Sequence, residues 1–171
     1  MAQITENDLI FRKADKKEID IAFGLLETAA GWLKSRDIDH WQNWLNPTEA
    51  NKKWVTDGFN KKYFFFVLHG SEIIGMFRLQ FEDKLFWGKR TEPSGYIHSL
   101  TTSRKYAGRG LGNIILKWVE NYCKKHEKTY LRLDCSESNP GLRSYYEKLG
   151  FTKVGISPLK EERLVLYEKK L

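Results

Sequence analysis

Cysteine is scarce in this chain of 171 residues: Cys123 and Cys135 are too few for a disulfide scaffold and lack metal-ligand spacing. Long apolar runs are missing too. The longest, Tyr63–Leu68, is far short of the ~20 residues that cross a bilayer. Met1–Asp8 is polar and lacks the apolar centre of a secretion signal. Basic residues occur at most in pairs, such as Lys124–Lys125 and Lys169–Lys170, so no dedicated nucleic-acid arm is expected. His40, His69, His98 and His126 show no paired ligand spacing, so no metal is expected either. There is no repeat, low-complexity segment or linker. These absences leave a soluble, cytoplasmic protein with reduced thiols, of a length that suits one compact domain.

What is present is charge and aromatic surface. The net charge of +7 favours anionic partners, among which nucleic acid, a membrane surface and a polyphosphate cofactor all qualify. Leu9–Arg12 reads as a strand. Asp15 to about Ser35 reads as a helix, with Ile19, Ala22, Phe23, Leu26 and Ala30 on one stripe. Asp37–Leu45 is loop or short helix, and Pro47-Thr48 opens a second helix. Tyr63–Leu68 and Glu72–Phe81 form a hairpin across His69-Gly70-Ser71, with Leu85–Trp87 as a minor extension. Tyr96–Thr101 is a strand, and Leu111 to Tyr122 a strongly amphipathic helix. A strand at Thr129–Asp134, a helix at Pro140–Leu149 and strands at Phe151–Val154 and Arg163–Glu168 complete the order. Strands before helices, then strand-helix-strand, indicate a mixed sheet with helices on both faces.

Gly108, Gly110 and Gly112 lie between a strand and a helix start. Glycine permits positive φ and lets a ligand approach the backbone without a Cβ in the way. The first amides of a helix have no internal partners and point out of its positive end. Together they make an anion site suited to a diphosphate, and a tight turn with close helix-sheet packing is the alternative. A P-loop needs Gly-Lys-Ser/Thr, which Gly112-Asn113-Ile114 does not supply. A dinucleotide fingerprint gains from Asp134 at the end of the next strand. It needs a glycine where Asn113 stands, however, and a tighter turn than Thr102–Ala107 allows.

The stretch Leu100-Thr101-Thr102-Ser103-Arg104-Lys105-Tyr106-Ala107-Gly108-Arg109-Gly110-Leu111-Gly112 closely resembles motif A of the Gcn5-related N-acetyltransferases, whose core is Gln/Arg-x-x-Gly-x-Gly/Ala. Ala107 departs from the usual Gln or Arg. Downstream, Asn139-Pro140 and Arg143-Ser144-Tyr145-Tyr146-Glu147-Lys148-Leu149-Gly150-Phe151 resemble the family's motif B. Each of those residues also has a plain structural use, Asn139 as a helix N-cap with Pro140 behind it and Gly150 as a helix stop. The resemblance implies an α/β (α+β) fold over residues 5–171 as a single N-acetyltransferase domain. Its sheet would be mixed and mostly antiparallel, of roughly six to seven strands with a splayed parallel pair, flanked by about four helices.

It also implies acetyl-CoA as cosubstrate, without a metal, and direct attack by a primary amine in a ternary complex. The amides of Gly108, Arg109, Gly110, Leu111, Gly112 and Asn113 would hold the pyrophosphate, with Ala107, Asn139 and Tyr146 beside the cofactor. Main-chain groups of Leu100, Thr101 and Thr102 would pair with pantetheine, and one amide there would polarise the thioester carbonyl. Tyr146 takes the place of the family's general acid, and core packing is its other use. Where many members carry a glutamate base this chain has Tyr96. His98, two residues on, matches a histidine of the arylalkylamine branch and is equally able to serve structure.

Trp32, His40, Trp41, Gln42, Trp44, Trp87 and Tyr96 are candidates for the acceptor wall, and Asp37 and Asp39 could attract an ammonium group. Tryptophans of small domains also serve as plain core. The partner expected is a small-molecule or peptide amine, not nucleic acid or membrane, and the protein a monomer or homodimer. A non-catalytic acyl-CoA-binding module would keep the turn without needing Tyr146 or His98, and a basic nucleic-acid-binding domain would explain the charge but neither motif.

Overall fold

A computed structural model describes residues 4–171; the first residues of the Met1–Asp8 stretch lie outside the described part. Seven strands form one sheet in the order β1-β2-β3-β4-β5-β7-β6. They are β1 (Leu9–Lys13), β2 (Phe64–His69), β3 (Glu72–Gln80), β4 (Ser94–Thr102), β5 (Tyr130–Ser136), β6 (Thr152–Ile156) and β7 (Leu164–Lys170). The α-helices are α1 (Ile19–Lys34), α2 (Glu49–Asn60), α3 (Lys84–Trp87), α4 (Leu111–Lys125) and α5 (Pro140–Lys148). The sheet is the expected mixed one. The extra helix is α3, where a strand extension was expected at Leu85–Trp87. Asp83 accepts from the Phe86 amide at 3.2 Å and so caps one helical turn instead.

The chain divides into two compact units. One holds the residues up to Arg78 together with Ser99–Leu116. A capping box, Asp15 with Glu18, starts the 3-10 turn that leads into α1, and another, Thr48 with Asn51, starts α2. Ala22, Leu26 and Ala30 face inward from α1 and meet Val55 and Phe59 of α2 and Phe64, Phe66 and Met76 of the hairpin. β2 is buried on both faces, with Phe65 stacked on Phe77 at 5.0 Å, which explains its unbroken apolar run.

The other unit holds Leu79–His98 and Lys117–Leu171. β5 pairs with β7, and β7 with β6, both antiparallel. The β4–β5 pair is parallel, with Ser94 against Tyr130, Gly95 against Leu131 and Tyr96 against Arg132; the ladder ends there. Asn139 caps α5 through the Leu142 amide, with Pro140 in the first helical position. No helix among the described residues is long and apolar enough to cross a membrane.

Candidate active site

The turn before α4 is the first functional feature. Ser103 N donates to Ile74 O at 2.7 Å, and a single 3-10 turn, Arg104–Tyr106, carries the chain toward the helix. Glu72 braces that turn: its carboxylate accepts from the Tyr106 hydroxyl at 2.6 Å and from Lys105 at 3.0 Å. Those two donors, Tyr106 first, hold the Glu72 carboxyl below its ordinary value. Gly108 and Gly110 take φ of +74° and +73°, and among the described residues no atom stands within 4 Å of where a Cβ would lie on either. They are glycines for backbone conformation and not for packing, so the tight-packing alternative loses its motive here. Asn113 and Ile114 donate back to Gly110 O, whereas the amides of Gly108, Gly110, Leu111 and Gly112 meet no backbone acceptor among the described residues. Those amides sit at the positive end of a fifteen-residue helix, an anion cradle built from main chain.

Several other expected residues lie in the same unit. Ser99, buried in β4, has φ +53°, a left-handed residue inside a strand, and so re-aims the peptide groups just before Leu100–Thr102. Thr101 is buried and its hydroxyl has no hydrogen-bond partner among the described residues. Arg104 lies over the Trp32 ring at 3.9 Å, a cation–π stack that joins α1 to the turn. Trp41 packs against the first core and holds φ +62°, as Asp37 holds φ +55°, so two non-glycine residues of one loop are left-handed. That loop lines a recess of about 270 Å³ with Lys34, Asp37, Ile38, Asp39 and Gln42. His40 is buried beside Trp41, and burial pushes its imidazole down to about 4.

The second feature belongs to the other unit. His98 is 6 % exposed, with Nε2 2.7 Å from Asp83 Oδ2 and Nδ1 3.3 Å from Asp134 Oδ2. Its ring also packs on Phe86 at 4.7 Å, so α3 supplies a roof and its N-cap, Asp83, a carboxylate. Continuing the register Tyr96↔Arg132 by one pleat sets His98 against Asp134, just beyond the end of the ladder. Burial pushes the Asp134 carboxyl up to about 6, with Asp83 and Glu162 adding to the effect and His98 opposing it. The donor atoms of Asp83, His98 and Asp134 all lie within 4.8 Å of one another, a grouping the histidine spacing did not register. The carboxylates nonetheless address different nitrogens of one ring, and an ion takes only one of these. Asp83 and His98 share a hydrogen bond, and Asp134 stands at ion-pair distance from the other ring nitrogen without one.

One pleat earlier on the same face lies a structural counterpart. Arg132, 3 % exposed, pairs with Glu168 at 3.0 Å and Glu92 at 3.2 Å and donates to the Tyr96 hydroxyl at 3.0 Å. Trp87 and Tyr96 pack with Leu166 in a small buried cluster, so both rings have core work in this structure. Tyr146 is buried against Phe151 and Tyr145, and burial raises its phenol above the ordinary range. Asn139, also buried, spends its side-chain oxygen on the α5 cap. Of the groups around His98, the sequence marks only the histidine as a candidate base. Asp83 carries one readable sign, an acid where a helix could start, and Asp134 reads only as a ribose partner.

The model of the acetyltransferase (GNAT) family matches residues 33–151. An uncharacterized N-acetyltransferase of Bacillus subtilis, YesJ, is 32 % identical over 137 residues, covering 77 % of this chain and 75 % of that protein. Among solved structures, a GNAT-family acetyltransferase of Listeria monocytogenes superposes with a TM-score of 0.77 at 21 % identity over 95 % of both chains. AAC(6')-Ib, solved with ribostamycin and coenzyme A, gives a TM-score of 0.72 at 18 % identity, covering 95 % of this chain and 93 % of its own.

Proposed function

Since the chain belongs to the acetyltransferase (GNAT) family and is an N-acetyltransferase, we propose that it carries an acetyl group from acetyl-CoA to a primary amine by direct attack in a ternary complex, with residues 5–171 acting as one catalytic domain. The observation that carries this reading is the cradle of unpartnered amides at Gly108, Gly110, Leu111 and Gly112, at the start of α4. A diphosphate suits it in charge and in the absence of any blocking Cβ. Arg109 and Asn113 lie in the same turn, and Ala107 precedes it. Main-chain groups of Leu100, Thr101 and Thr102 take the pantetheine, an assignment supported by the left-handed Ser99 that precedes them.

In the reaction, the amine must lose a proton before it attacks, and the departing sulfur must gain one. Tyr146 is the proposed acid: burial keeps its phenol protonated at neutral pH, the form needed to give a proton to a thiolate. His98, with its carboxylate partners, is the proposed base centre. The acceptor is a small-molecule or peptide amine, and AAC(6')-Ib, whose structure holds an aminoglycoside, supports the small-molecule class. Trp32, Trp41 and the recess at Asp37 and Asp39 are proposed to meet its cationic part, with Trp87 and Tyr96 as backing. Two free buried cysteines, with thiols pushed up to about 12, fit a reducing compartment, and the proposed location is the cytoplasm.

The test is a panel of amines with acetyl-CoA, read by release of free thiol, together with acetyl-CoA-dependent thermal stabilisation. The expected result is stabilisation and thiol release with at least one amine. Stabilisation without release from any amine favours a non-catalytic acyl-CoA-binding module; no stabilisation removes the cofactor reading.

A further inference from the structure

We infer that the carboxylate of Asp134, and not the ring of His98, takes the proton from the acceptor's ammonium group, with His98 and Asp83 as positioning residues behind it. The inference rests on the acetyl-transfer reading above. A neutral histidine accepts a proton through one lone pair, and that lone pair must face the donor. In this chain both ring nitrogens face carboxylates, Nε2 toward Asp83 at 2.7 Å and Nδ1 toward Asp134 at 3.3 Å. Asp83 is 1 % exposed and has both oxygens engaged, Oδ1 by the Phe86 amide and Oδ2 by His98. Asp134 is the most open of the three at 11 %, and its buried Oδ2 makes no hydrogen bond of good geometry. It stands on β5 where the ladder with β4 has ended, while the β7 ladder, Asp134 against Leu166, still fixes its backbone. The chain of groups therefore has a closed end at Asp83 and an open end at Asp134.

The proton balance closes. R–NH₃⁺ gives one proton to the Asp134 carboxylate. The freed lone pair attacks the thioester carbonyl carbon, the C–N bond forms and the C–S bond breaks. Tyr146 gives its phenolic proton to the departing sulfur, which leaves as a thiol, and the second proton of the nitrogen passes through water to the Tyr146 phenolate and restores it. Asp134 then returns its proton to water. A carboxyl pushed up to about 6 by burial is a far better base at neutral pH than an ordinary aspartate. The ionisable groups around it are His98 on β4, Asp83 before α3, Glu162 before β7, its neighbour Cys135, and Tyr146 on α5. His98 pulls the value down; Asp83 and Glu162 push it up.

Those opposed signs make the experiment specific. The Asp134 carboxyl is titrated by ¹³C NMR in the intact protein, and rates are followed against pH in Asp134→Asn, His98→Gln and Asp83→Asn. The expected wild-type transition lies near 6 and coincides with the acid limb of kcat/KM. His98→Gln moves both upward and Asp83→Asn moves both downward. Asp134→Asn removes the limb and slows turnover about 100-fold or more, while acetyl-CoA still raises its melting temperature. Absence of any Asp134 transition between pH 5 and 7 overturns the inference whatever the rates do. So does an Asp134→Asn variant that keeps wild-type turnover and limb while His98→Gln loses both; the base is then His98 and the acetyl-transfer reading survives. A wild-type protein that releases no thiol from any amine removes the reaction itself, and this role for Asp134 with it.

Discussion

The turn at Arg104–Asn113 draws its chemistry from one continuous stretch of chain, whereas the cluster around His98 draws on positions 83, 98 and 134. The turn works through amides, and its two left-handed glycines have open space where side chains would be. The cluster works through side chains that are almost wholly buried and press on one another. The two therefore tolerate different changes. A backbone cradle is indifferent to its side chains as long as its φ values hold, which is how Ala107 can replace the usual Gln or Arg. A buried proton chain is sensitive to each member, because removing one charge shifts the others. The cradle should therefore fail in affinity and the cluster in rate and pH dependence.

The sharpest way to break that division is Tyr146→Phe. Loss of the phenolic proton should lower kcat about 100-fold and leave acetyl-CoA affinity within about twofold, measured by steady-state kinetics and calorimetry. Affinity falling in step with rate would mean that the side-chain region also holds the cofactor. Next in size is stability against pH. Asp134 keeps its proton up to about 6 in the folded chain but loses it near 3.8 when unfolded. Its charged form therefore costs stability that grows as pH rises from about 4 to about 6 and is constant above that. Asp134→Asn should stabilise the fold by on the order of 2 kcal/mol above pH 6 and by nothing below pH 4. His40, held neutral down to about 4 against an ordinary 6.5, has the opposite slope: stability falls as pH drops from 6.5 toward 4, and His40→Gln should flatten that limb. Denaturant midpoints across pH 4–8 check both.

Legibility in the sequence follows the same division. The glycine turn, the α4 stripe and the Asn139–Phe151 run are local patterns, and each could be read within a dozen residues. The strands in chain order follow from the alternation of elements, whereas their order in the sheet, with β7 between β5 and β6, does not. Asp83 was hidden because Leu85–Trp87 looked like strand, and the cap that makes it a helix is a single aspartate with no periodicity to support it. Asp134 could be seen as an acid ending a strand, but what faces it depends on β4–β5 register, and a parallel pairing across an intervening helix leaves no trace in local sequence. Trp87 and Tyr96 illustrate a different limit: aromatic residues look alike whether they line a pocket or fill a core, and here they surround the buried Arg132.

Gly110→Ala sharpens the comparison from the other side. A methyl group at φ +73° finds no neighbour to strike, so the fold should lose only about 1 kcal/mol from backbone strain. The methyl group would occupy the approach to the amides, and relaxation toward negative φ would turn them away. The apparent KM for acetyl-CoA should rise about tenfold while kcat at saturation stays near wild type. A kcat loss of the same size would show that the turn shapes the chemical step as well as the grip on the cofactor.

The smallest effect comes from Glu72, and its sign is the informative part. Glu72 holds the turn through Tyr106 and Lys105, but it is also an anion beside the proposed pyrophosphate site. Both it and Lys105 are largely exposed, so their ion pair adds little to stability. In Glu72→Gln the amide oxygen can still accept from Tyr106, while Lys105 is released and the local negative charge is gone. Acetyl-CoA should then bind about twofold tighter at low ionic strength, and the gain should vanish near 0.5 M salt as charges beyond a few ångströms are screened. Weaker binding at every salt concentration would mean instead that the Glu72 strut orders the cradle, and that this backbone site depends on a side chain after all.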